Sequence, residues 1–166
     1  MYDLLLVTII VLIASALVLP FLQSRKGSYV ASGISTVLAA YWVYSTVSMK
    51  FASGTFIIDH LTEVVAIASL FAGAIIALTY GRLEGRSNIA SSMLLIGILG
   101  TILVASTLNP LVILASWGLL SIASYGIAAI PKDKKSLANS LKYAFMGGLS
   151  LQFLLIAIFL IFSGTL

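Results

Sequence analysis

Polar patches recur along this sequence at intervals close to the thickness of a lipid bilayer, and the stretches between them are almost wholly apolar. A helix rising 1.5 Å per residue needs roughly 20 apolar residues to cross a hydrocarbon core of about 30 Å. Runs of this kind cover residues 4–22, 29–49, 61–80, 89–108, 111–130 and 136–162. Six spans use about 120 residues and leave about 46 for tails and connections, so no separate soluble catalytic domain fits in the remainder. Nine Lys/Arg and five Asp/Glu make the chain 8% charged, against about 25% for an ordinary soluble domain. Apolar residues fall on most faces of each run, which is the pattern of a membrane span and not of a half-buried helix. The sequence therefore predicts an all-α integral membrane protein, with about six transmembrane helices in one helical domain over residues 1–166.

Basic residues orient such a chain, because the loops richest in Lys and Arg stay in the cytoplasm. Alternate connections hold Arg25, Lys26, Arg82, Arg86, Lys132, Lys134 and Lys135, which is seven, while the opposite side holds only Lys50. This predicts both termini outside, three cytoplasmic loops, and a multi-pass protein of the cytoplasmic membrane. The start Met1-Tyr2-Asp3 has no basic region before the first run, so that run is expected to be a retained span and not a signal peptide. The net charge of +4 is accounted for by these loop markers, and no nucleic-acid partner is implied.

Several chemistries drop out. The chain has no cysteine, hence no disulfide, no thiolate-held cluster and no cysteine nucleophile. His60 is its single histidine, so one chain cannot supply bis-histidine haem ligation or a multi-histidine metal site. The expectation is no cofactor, no metal and no catalytic residue of its own. Polar residues near the spans are then the candidates. Glu63 follows Asp59 and His60 at the outer start of the third run, where an acid either marks an ion path or simply suits the wet first turn of a helix. Lys142 lies about seven residues past the last basic loop, roughly 10 Å in depth. Residues 143–162 already supply a full span, which lets its ammonium snorkel to the interface; a buried, proton-handling role is the alternative. Trp117 falls in the middle of the fifth run, where interhelix packing suits it, and Asn109 before Pro110 reads as a turn residue. Small residues such as Gly97, Gly100, Gly118, Gly126, Gly147 and Gly148 would let helices approach closely.

Two stretches carry a resemblance. Asn109-Pro110-Leu111 leading into Ser116-Trp117-Gly118-Leu119-Leu120-Ser121, and then Ser140-Leu141-Lys142-Tyr143-Ala144-Phe145-Met146-Gly147-Gly148, are similar to consecutive signatures of the antiporter-like membrane subunits. These subunits occur in respiratory complex I, membrane-bound hydrogenases and multisubunit cation/proton antiporters. The resemblance covers roughly residues 109–150, with the earlier helices agreeing only in hydrophobicity and topology. It implies a proton path built from an intramembrane glutamate and lysines, with Lys142 at the lysine of the sixth helix. The glutamate of the family pattern falls on Gly118, which offers neither charge nor hydrogen bond. Full family members continue into a second, inverted repeat, so the resemblance implies the N-terminal part of such a subunit, either a fragment or a split, reduced relative.

Three functions are expected on this basis. The first is an accessory membrane subunit of an ion-translocating redox complex, mainly structural, with a contribution to a proton path through Lys142; Lys142 and Glu63 are the candidate proton-path residues. The second is one half of a split proton or cation channel completed by a separate chain. The third is a small independent secondary transporter. The partners expected are other integral membrane subunits and the lipid bilayer.

Overall fold

Asp59, Asn109 and Asp133 each close a polar patch, and each caps the helix that follows. In the computed structural model, Asp59 Oδ1 accepts from the Thr62 amide at 2.9 Å, Asn109 Oδ1 from Leu111 at 2.9 Å, and Asp133 Oδ2 from Ser136 at 3.1 Å. A side-chain oxygen at this position satisfies amides that the first turn leaves without a carbonyl. Pro110 adds a pre-set φ where no amide hydrogen is needed.

The structure describes residues 2–22, 26–45, 51–53, 55–80, 87–131 and 133–164. The orientation markers Arg25, Lys50, Arg82, Arg86 and Lys132, and the Glu84 that shares a loop with two of them, lie outside the described residues. The helices are α1 (Tyr2–Val18), α2 (Gly27–Ser45), α3 (His60–Tyr80), α4 (Ser87–Ala105), α5 (Pro110–Ala128) and α6 (Lys134–Ser163). A single 3-10 turn, Leu19–Phe21, follows α1 at Pro20. Five of the six helices, all but α2, are long and apolar enough to cross a membrane.

Helix α2 falls short because its buried side is built from small and hydroxyl residues. Ser28, Ala31, Ser32, Ser35, Leu38, Ala39 and Trp42 recur at helical spacing and are all buried. Trp42 anchors this face, its indole N–H donating to Thr8 Oγ1 of α1 at 3.0 Å. Helix α4 occupies the centre and packs on α1, α2, α3 and α5, whereas, among the described residues, α6 packs on α5 alone. Leu12, Leu19, Leu70, Leu95 and Ile102 form the fully buried core of the first four helices. Several helix hydroxyls bond their own backbone: Thr8, Ser15, Thr36, Thr101 and Ser116 each donate to the carbonyl four residues back, whereas the buried Ser35 and Ser91 hydroxyls have no partner among the described residues.

One element departs from the sequence reading. Residues 51–58, read as part of a long connection, contain β1 (Phe51–Ser53) and β2 (Phe56–Ile58), paired antiparallel with Phe51 opposite Ile58. Aromatic and β-branched residues around Ser53-Gly54-Thr55 favour this hairpin. It locks onto the turn between α4 and α5, with the Ile57 amide donating to Ser106 O at 2.8 Å and Thr107 Oγ1 to Thr55 O at 2.8 Å. That pairing also ends α4 at Ala105, short of the expected residue 108.

Candidate functional site

Helices α5 and α6, which carry the two motif stretches, run antiparallel, and their contacts fix the register residue by residue. Ser136 Oγ donates to Ala128 O, and Ser140 Oγ to Tyr125 O at 2.7 Å. A Cβ placed on Gly147 would lie 3.4 Å from Ser121 Cβ, and one on Gly118 would lie 4.0 Å from Leu151 Cδ1. Ser140 is the buried residue of α6. Between the two helices runs a groove of about 300 Å³ lined by Trp117, Leu120, Ser121, Ser124, Tyr125, Tyr143, Met146, Gly147 and Ser150. Ser124 and Ser150 donate to their own helices, to Leu120 O at 2.8 Å and Met146 O at 3.0 Å. Their oxygens keep lone pairs for a further donor. Trp117, half-exposed at 42%, forms part of this wall and is not enclosed between helices.

Lys142 is exposed and does not line the groove. It sits eight residues into α6, about 12 Å along the helix axis. Among the described residues it has no salt-bridge partner. The register places Gly118 level with Leu151, nine residues from Lys142, which is about 13 Å along the axis. The position where the family pattern carries glutamate is therefore at the midpoint of α5 and not beside this lysine.

Glu63 lies at the other end of the bundle, in the first turn of α3. Its Oε2 is 3.3 Å from His60 Nδ1, with the His60 side chain 85% exposed and that of Glu63 24%. Thr62 is the joint that holds this end together. Its hydroxyl lies within hydrogen-bond distance of Asp59 Oδ1 at 3.0 Å, Ala105 O at 2.8 Å and Ile57 O at 3.2 Å, so β2, α3 and α4 meet there. The Thr62 amide, with its hydroxyl assisting, holds the Asp59 carboxyl below its ordinary value. Lys142 and Glu63 are thus on different helices at opposite ends, and the structure does not bring them together. Among the described residues no three His, Asp or Glu side chains converge to hold a metal ion.

Reading the sequence by charge passes over Gln152. It is exposed on α6, one residue beyond the level of Gly118, and it falls at the centre of the apolar run 143–162. The signal available in the sequence was a lone carboxamide in the middle of a span.

Against known proteins, no family model matches this chain, and no curated protein matches it.

Proposed function

We propose that the chain belongs to an accessory, antiporter-like membrane subunit of an ion-translocating redox complex, with all six helices crossing the membrane and residues 1 and 166 on the outer side. Its part is mainly structural. Lys142 contributes a positive charge near the cytoplasmic side, and the chain relies on neighbouring subunits for the remaining charges of any proton path.

The observation that supports this reading is the packing of the two motif stretches along each other. Side chains from residues 117–125 and 143–150, which fall within the two motif stretches, line one hydroxyl-bearing groove, with Lys142 next in sequence to its Tyr143. Hydroxyls spaced along a helix pair can pass hydrogen bonds between bound waters, but they need charged groups at depth to hold a proton. Only Lys142 approaches that role here, since Glu63 belongs to the wet end of α3.

Extraction in mild detergent followed by intact-complex mass spectrometry tests the reading. The expected result is a heteromeric assembly containing this chain. A chain that runs alone or only with copies of itself overturns it. Within the assembly, Lys142→Ala is expected to lower proton pumping while leaving the assembly intact, and unchanged pumping removes Lys142 from the path.

A further inference from the structure

We propose that the exposed face of α6 is the seat of a transmembrane helix from a different chain, one that presents a hydrogen-bonding side chain to Gln152 at mid-membrane. This rests on the reading of the chain as one subunit of a membrane complex, and it names the surface and the chemistry of the contact.

The face is defined by spacing. Leu141, Phe145, Gly148, Gln152, Leu155 and Phe159 follow one another at intervals of four, three, four, three and four, which is the seam of a left-handed helix pair. All six are exposed, with Leu141 at 74%, Phe145 at 68% and Phe159 at 67%. Lipid alone could cover the apolar members. It covers Gln152 only at a free-energy cost, because a carboxamide facing hydrocarbon has four hydrogen-bonding sites that lipid tails do not fill. Among the described residues α6 packs on α5 alone; Leu155 and Phe159 border the gap between α6 and the start of α5, and Gln152 is exposed beside them. One turn before it, a Cβ on Gly148 would meet nothing within 4 Å, so a second backbone can come close at the depth where the amide needs a partner.

The occupant is another chain and not a second copy. Two copies inserted the same way round would pair in parallel, each residue of the seam against its own image. Continued back by one heptad, the seam reaches Lys134, with Lys135 and Lys142 on its flank. A second copy would stack these cations on one another. The neighbouring acid, Asp133, is engaged in capping α6. Like charges so placed repel, whereas a partner helix without them does not.

The experiment uses the full chain purified from native membranes as its assembly, with Gln152→Leu, Gln152→Asn and, as a control on another face of the same helix, Phe153→Leu. Gln152→Leu is expected to weaken association roughly three- to tenfold, the range of an interhelical hydrogen bond in a bilayer. Gln152→Asn retains it in large part, and Phe153→Leu leaves it unchanged. Thermal unfolding of the isolated variants is expected to be unaltered, since Gln152 is exposed in its own chain. A single Gly148→Cys, in a chain with no cysteine of its own, alkylated with a maleimide that carries a benzophenone and then irradiated, should photo-cross-link to a partner helix bearing Asn, Gln, Ser, Thr, Asp or Glu within one turn of the linked residue. If the assembly forms and Gln152→Leu leaves it intact, the surface is wrong while the subunit reading stands. A cross-link to a second copy, or to a wholly apolar stretch, also overturns the proposal. Absence of any assembly in the unaltered protein overturns the subunit reading itself.

Discussion

The register of α5 against α6 decides what Lys142 can interact with, and a disulfide trap tests it directly. The Cβ that Gly147 lacks would lie 3.4 Å from Ser121 Cβ. A disulfide asks for a Cβ separation of about 3.5–4.5 Å, so Ser121→Cys with Gly147→Cys closes after an adjustment of a few tenths of an ångström. A slip of one helical turn, about 5.4 Å along the axis, would carry the pair out of that window. The contrasting pair, Gly118→Cys with Lys142→Cys, is offset by about 13 Å along the axis and cannot close without large backbone movement. Because the native chain has no cysteine, any bridge formed belongs to the introduced pair. A protease site placed at the turn near Pro131 allows a simple readout. After mild oxidation and cleavage, the 121/147 chain stays in one piece until reductant is added, and the 118/142 chain falls into two. The reverse result would refute the register and restore a side-by-side arrangement of Gly118 and Lys142.

Two further perturbations test the packing and the capped end. Gly100 sits where α4 meets α5, and an added Cβ would lie 3.0 Å from Ser116 O and from Leu120 Cγ, and 3.2 Å from Leu120 N. Gly100→Ala should therefore lose about 1–3 kcal/mol to overpacking, offset by about 1 kcal/mol of helix propensity. Gly33→Ala, with nothing within 4 Å, should show only the gain, so equal shifts in detergent unfolding for the two variants would contradict the contact. Asp59 has its pKa lowered on folding, so its cap adds stability above its unfolded pKa, near 3.9, and loses it as pH falls through the lower folded value. Asp59→Asn keeps an accepting oxygen and should flatten that acid limb, whereas Asp59→Ala should cost about 1 kcal/mol near neutrality. An unchanged acid limb in Asp59→Asn would place the pH dependence elsewhere.

How much of this was legible in the sequence depended on which physical term dominated locally. The six helices were legible because the bilayer imposes a length, and Asn109-Pro110 and Pro131 interrupt the apolar runs where the chain turns. The hairpin at residues 51–58 was not, since short apolar stretches of three residues carry no period to read. It is stabilised by bonds to Ser106 and Thr107, which lie about fifty residues away in sequence. Helix α2 was legible as a helix, but its hydroxyl face only becomes meaningful once Thr8 is seen to meet Trp42.

The candidate site was legible as motifs and not as geometry. Sequence spacing along one chain says nothing about register between two antiparallel helices, and it is the register that separates Gly118 from Lys142. The same register sets what each helix offers at the level of Gly118. With glycine at 118, α5 contributes only backbone to the level where α6 presents Leu151 inward and Gln152 outward. At that level the Ser150 hydroxyl lines the α5–α6 groove, whereas the carboxamide of Gln152 is exposed on α6. A carboxylate at 118 would have pointed hydrogen-bonding capacity at α6 from within the chain; with glycine there, the groove keeps the Ser121 and Ser150 hydroxyls, and the larger polar group, Gln152, is exposed. Interior packing at this level is accordingly left to Leu151 against Gly118, and the need for a polar partner is transferred to the outer surface of α6.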